Sequence, residues 1–137
     1  MIVRKTTRQI HVGQLAVGGG APIAVQSMTN TLTSDVEATV HQIHQLEQAG
    51  CEIIRVAVPD MTAARAVGAI RAQIAIPLIA DIHFDSRLAV TAVEHGAQGI
   101  RINPGNLGGP DKITRVVAAT RMHGVSIRVG VNSGSIE

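Results

Sequence analysis

The sequence predicts an α/β fold, namely the opening part of a TIM (β/α)8 barrel, about five strand-helix units preceded by a short β-hairpin. Three observations carry that expectation. Short apolar runs, PIAVQSM, EIIRVAV, PLIADIH, GIRIN and SIRVGVN, alternate with helical stretches at a period of roughly 25 residues. Strands that alternate with helices build a parallel sheet. The stretches between the runs carry helix start and stop signals, and no GxGxxG follows a strand. Gly18, Gly19 and Gly20 come before the first strand, which argues for a turn and against a Rossmann domain.

The elements follow in order. Residues 1–20 are expected to form the hairpin, because RQIHVG and QLAVGG alternate and are punctuated by Gly13 and the three glycines. Residues 21–137 are the first part of the barrel. Its first helix is expected to start at a capping box, Ser34 with Glu37 three residues on, and to bury Val36, Val40, Ile43 and Leu46 before stopping at Gly50. Asp60 caps the second helix and Asp85 the third, which ends at Gly96. The fourth opens at Gly109 and Pro110 and ends near Gly124. A complete barrel needs eight strands and about 250 residues. This chain of 137 residues therefore reads as a truncated barrel, with no fifth helix after the last strand.

Composition narrows the function. With 45% apolar and 16% charged residues the chain can bury a core and is no disordered tail. No apolar run approaches the roughly 20 residues of a membrane span, and the start MIVRKTTRQIHVG lacks a secretory signal, so a cytoplasmic protein is expected. A net charge of +2, one Phe and no Trp or Tyr argue against nucleic-acid binding. Cys51 is the single cysteine and is expected to be a small buried residue at a helix-to-strand junction. One thiol holds neither an iron-sulfur cluster nor a structural zinc, so any cluster must be ligated mostly from elsewhere.

Alternation along the strands sorts the side chains into two faces. Ile54, Val56 and Val58 suit a helix layer, which sends Ile53, Arg55 and Ala57 inward. By the same parity Arg101 and Asn103 oppose Ile100 and Ile102, while Arg128, Gly130 and Asn132 oppose Ile127, Val129 and Val131. The third strand contributes Asp81 and His83, and the first contributes Gln26. All are expected toward the strands' C-terminal ends, where barrel enzymes keep their sites. Asp81 alone cannot neutralise Arg55, Arg101 and Arg128, and a diphosphate would, since guanidinium forks match phosphate oxygens. The bland alternative is that each arginine pairs with a carboxylate of a neighbouring strand. Asp81 and His83 read as a substrate-contacting acid and imidazole rather than a metal site, because no second histidine or carboxylate shares an inward strand end. His41, His44, His95 and His123 read as solvated helix-surface residues.

Taken together, APIAVQSMTNT, IIRVAVP, PLIADIHFDSRLA, IRINPGN and IRVGVNSGS resemble, in the same order and over about Pro22 to Glu137, the barrel half of the hydroxymethylbutenyl diphosphate synthase family. ADIHF and RINPGN are the specific parts. The resemblance implies reductive conversion of 2-C-methyl-D-erythritol 2,4-cyclodiphosphate to (E)-4-hydroxy-3-methylbut-2-enyl diphosphate in non-mevalonate isoprenoid biosynthesis. It implies a 4Fe-4S cluster, flavodoxin or ferredoxin as electron donor, and a homodimer in which a C-terminal domain of the other subunit brings the cluster's ligands. It also implies that Arg55, Arg101, Asn103, Arg128 and Asn132 hold the diphosphate, with Asp81, His83 and Gln26 at the same pocket. The remaining barrel and the iron-sulfur domain are absent from this sequence, so the chain alone is expected to be inactive. Two rivals stand beside this reading. One is a pterin-binding transferase barrel similar to dihydropteroate synthase, suggested by QSMTNTLTSD, and the other is a non-catalytic barrel fragment.

Overall fold

Two antiparallel strands, β1 (Ile10–Val12) and β2 (Leu15–Val17), turn through Gly13 at φ +58° in the computed structural model, which describes residues 1–135. Five parallel strands follow: β3 (Gln26–Met28), β4 (Ile53–Val58), β5 (Leu78–Ile82), β6 (Gly99–Ile102) and β7 (Ser126–Val129). Helices α1 (Val36–Gln48), α2 (Met61–Arg71), α3 (Ser86–Glu94) and α4 (Pro110–His123) connect them. Strand order in the sheet is chain order, β3-β4-β5-β6-β7. A doubly wound sheet would reverse direction at a switch point; this sheet runs one way around, as a barrel wall does.

The helices start where local chemistry caps them. Asp60 accepts a hydrogen bond from the Ala63 N–H at 2.8 Å and Asp85 one from Arg87 at 2.8 Å, and Pro110 opens α4. Gly124, at φ +64°, ends α4 in the left-handed conformation that costs glycine nothing. The first cap differs from the sequence reading. Asp35, not Ser34, caps α1, its carboxylate accepting from the Ala38 N–H at 3.1 Å. A charged acceptor gains from the positive end of the helix as well as from the hydrogen bond.

Parity on the central strands follows the expected division. Ile54, Val56, Val58, Leu78, Ala80, Ile100 and Ile102 form the main core with Val40, Ile43, Val67, Ile70, Leu88 and Val93 from the helices. Removing each large aliphatic from water contributes about 1.5–3 kcal/mol. A second, smaller cluster lies on the other face, where Val12 of the hairpin packs on Ile53 and Ile79 with Leu15 and Val17 beside it. The hairpin thus covers the interior next to the N-terminal ends of β4 and β5.

The edges depart from expectation. β3 begins only at Gln26, and Ile23 and Val25 are exposed. The Val25 carbonyl instead accepts from the Glu52 and Ile53 N–H groups, and its own N–H donates to the Glu52 side chain. β7 ends at Val129, and Val129 and Val131 are exposed rather than in a helix layer; on this edge the earlier Val125 and Ile127 pack against the helix-side core. Ile136 and Glu137, at the end where no fifth helix was expected, lie outside the described residues. Among the described residues no helix is long and apolar enough to cross a membrane.

Candidate functional site

On each central strand an inward position near the start is small or apolar and the next inward position is charged. The pairs are Ile53 and Arg55 on β4, Ile79 and Asp81 on β5, Gly99 and Arg101 on β6, and Ser126 and Arg128 on β7. Register aligns Asp81 with Arg101 and Arg101 with Arg128. A row of charge thus crosses three neighbouring strands.

Asp81 is the hub. Its side chain is 9% exposed, and its two oxygens lie 3.7 Å from Arg55 Nε and 3.4 Å from Arg101 Nη1. Arg55 also directs Nε at the Met28 sulfur, 3.4 Å away. Arg128 has no carboxylate partner among the described residues; its Nη1 donates to Gln26 Oε1 at 2.7 Å. Gln26 is on β3 and Arg128 on β7, the two ends of the sheet. A side-chain bond between opposite edges requires the sheet to curl steeply around its interior. Three guanidiniums against one carboxylate leave a surplus of two positive charges at this surface.

The remaining expected residues fall out unevenly. Asn103 is buried just beyond β6, and its side-chain oxygen accepts from the Gly105 N–H at 3.2 Å, capping a 3-10 turn over Pro104–Asn106. That oxygen is committed locally, so only the amide NH2 faces no protein acceptor. Asn132 is exposed and lies three residues past β7. His83 follows β5, and the structure does not join it to Asp81 as an acid–imidazole pair; the carboxylate is taken by the two arginines, its charge complements. Gln26 opens β3 rather than ending it, yet reaches Arg128 through the curl. His41, His44, His95 and His123 are exposed.

Three features were not read from the sequence. A side chain at Gly130 would displace the Arg101 guanidinium, since a Cβ there would stand 2.7 Å from Arg101 Nε and 2.8 Å from its Nη2. Its place on the inward face beside Arg128 was the available signal. Met28 packs on Arg55, and a cleft of about 700 Å³ opens beside Gln26 and Arg128, lined also by Arg4, Lys5 and Gly18–Gly20. These basic residues of the N-terminal segment add to the positive surplus.

A family model described as the GcpE TIM-barrel domain matches residues 7–137. This chain is a member of the GcpE family. It is 63% identical over its full length to the 4-hydroxy-3-methylbut-2-en-1-yl diphosphate synthase (flavodoxin) of Desulfotalea psychrophila and 60% identical to that of Lawsonia intracellularis. In both cases it spans 38% of the relative's length. The Yersinia pestis dihydropteroate synthase structure superposes with a TM-score of 0.66 over 88% of this chain and 45% of that one, at 15% identity. That likeness is of fold alone, so the pterin-binding rival rests on the shared barrel. The GcpE-family chain does not fit a resident cluster: its one cysteine, Cys51, is buried with Sγ 3.0 Å from the Ile53 carbonyl, and no described group of three or more His, Cys, Asp and Glu could hold a metal.

Proposed function

We propose that this chain forms the diphosphate-holding wall of an oxidoreductase that converts 2-C-methyl-D-erythritol 2,4-cyclodiphosphate to (E)-4-hydroxy-3-methylbut-2-enyl diphosphate. The observation that carries the reading is the surplus of guanidinium charge from β4, β6 and β7 over the single carboxylate of Asp81 on β5. Membership of the family supports it, as do the names of relatives, which specify the diphosphate product and flavodoxin.

Each residue then has a task. Arg101 and Arg128, adjacent in register, offer planar forks to phosphate oxygens, and the like charges repel until an anion lies between them. Asp81 holds Arg55 and Arg101 in place and lowers the cost of keeping them partly out of water. Gln26 orients Arg128 without neutralising it. The amide NH2 groups of Asn103 and Asn132 add neutral donors, and His83 meets the ligand at the mouth. The electron-carrying 4Fe-4S cluster, its ligands and the dimer partner belong outside these residues, with flavodoxin or ferredoxin as donor in the cytoplasm.

The test is a graft in which this chain replaces the matching region of the Desulfotalea psychrophila relative, titrated with the cyclodiphosphate. A charge-assisted hydrogen bond contributes about 1.5–3 kcal/mol, so Arg101→Met and Arg128→Met should each weaken binding by roughly one to two decades. Arg101→Lys should weaken it less, keeping charge but losing the fork. Unchanged affinity in both Met variants would make these arginines structural ion-pairing residues and end the proposal.

A further inference from the structure

Among the described residues Phe84 is the one non-glycine with positive φ, at +61°, and it is the only Phe, Tyr or Trp in the chain. An L side chain is strained in that region, where glycine is not. Burial does not offset the strain, because Phe84 is 72% exposed. The Asp85 N–H donates to the His83 carbonyl two residues back at 2.8 Å, which closes a γ-turn of the rare positive-φ form around Phe84. Strain of this kind persists where surrounding structure imposes it, and it concentrates at functional sites.

The turn sits against His83. The His83 N–H donates to the Val58 carbonyl at 3.3 Å and its own carbonyl is taken by Asp85, so both backbone groups are committed. Its imidazole makes no hydrogen bond to another described residue. That ring meets Phe84 edge-on, at 67° and 6.3 Å between centroids. We propose that Phe84 is a positioning residue for His83: the strained turn sets the phenyl ring against the imidazole and holds it just past β5, two residues beyond Asp81, with its ring N–H free to donate to a ligand oxygen. This rests on the diphosphate reading above and extends it to an uncharged residue. The rival view is that Phe84 merely shapes a surface turn.

The experiment uses the 137-residue chain, its folding checked by circular dichroism, titrated calorimetrically with inorganic diphosphate. The same variants in the graft keep the test decisive if the chain alone self-associates. Phe84→Gly should relieve strain and raise the thermal midpoint by about 2–6 °C. It should also weaken diphosphate binding by about three- to tenfold, the range of an aromatic edge contact. Phe84→Tyr should restore binding to within about twofold, since the ring returns. In a His83→Ala background, Phe84→Gly should weaken binding no further, because coupled residues are not additive. Unchanged binding in Phe84→Gly, or a loss that persists without His83, overturns the positioning role. Arg101→Met and Arg128→Met separate the two readings: if both leave diphosphate affinity intact, the site itself fails, whereas a loss in either beside an unaffected Phe84→Gly sinks this inference alone.

Discussion

In the lower layer of the barrel interior, Ile53 and Ile79 are 1% and 2% exposed and pack beneath Val12 of the hairpin. Two residues further along the same strands, Arg55 and Asp81 face the same interior with charge. Gly99 and Arg101 repeat the contrast on β6, where a Cβ on Gly99 would stand 3.0 Å from the Ile79 side chain and 3.5 Å from that of Val12. Both layers have the same backbone and the same inward parity, so secondary structure does not separate them. Access to water does: the hairpin closes one end, and the other keeps Arg55 and Arg101 side chains 29% and 24% exposed. One layer stabilises the wall, and the other holds charge that the wall leaves only partly neutralised.

The division can be broken by substitution. Ile79→Ala, in the closed layer, should cost about 2–5 kcal/mol of stability in denaturant unfolding while leaving diphosphate affinity of the folded protein unchanged. A matching fall in affinity would show that the layers are one unit. Asp81→Asn, in the open layer, removes the carboxylate shared by Arg55 and Arg101 and should cost about 1–3 kcal/mol. Saturating diphosphate should raise the thermal midpoint of that variant more than that of the parent, because the anion takes over the neutralising role. An equal rise in both would contradict it.

Gly130→Ala sharpens the comparison within the open layer. The added methyl meets the Arg101 guanidinium at 2.7 Å, so a flexible side chain must move while the backbone need not. Diphosphate affinity should drop by about tenfold, near 1.4 kcal/mol, with a thermal midpoint close to the parent's. A large loss of stability with intact affinity would place Gly130 among structural residues. The smallest effect is expected away from both layers, at the cap of α3. Hydrogen bonds from Arg87 hold the Asp85 carboxyl below the usual carboxylate range. A folded pKa below the unfolded value, about 3.9, means stability that is present above that pH and lost as pH falls through the folded pKa. Urea unfolding from about pH 5 to pH 2 should show this small loss in the parent, and Asp85→Asn, which still caps, should remove it. An identical pH slope in both would leave the Arg87 pair without a role in stability.

Legibility in the sequence followed the range of the interaction. Caps at Asp60 and Asp85 and the proline start of α4 depend on neighbours within a turn, and alternation of Arg55, Val56, Ala57 and Val58 depends on strand geometry alone. The cap at Asp35 was missed by one position because Ser34 and Asp35 are both good acceptors and only the path of the chain chooses between them. Edge strands were overextended for a related reason. PIAVQSM has strand-like composition throughout, yet the ladder opens only with the bond from the Ile53 N–H to the Val25 carbonyl, and Val25's own N–H goes to the Glu52 side chain.

The sequence by itself determined that strands and helices alternate, which face of each strand is apolar, and that three arginines share the other face. Those properties follow from periodicity and side-chain chemistry, which act over a few residues. Only the tertiary structure decided that Asp81 serves two arginines rather than His83, that Gln26 reaches Arg128 across 102 residues of chain, and that Phe84 is held in the left-handed region beside His83. Each depends on the curl of the sheet or the closure of a turn against neighbouring strands. Such distances are set by the packing of the whole wall.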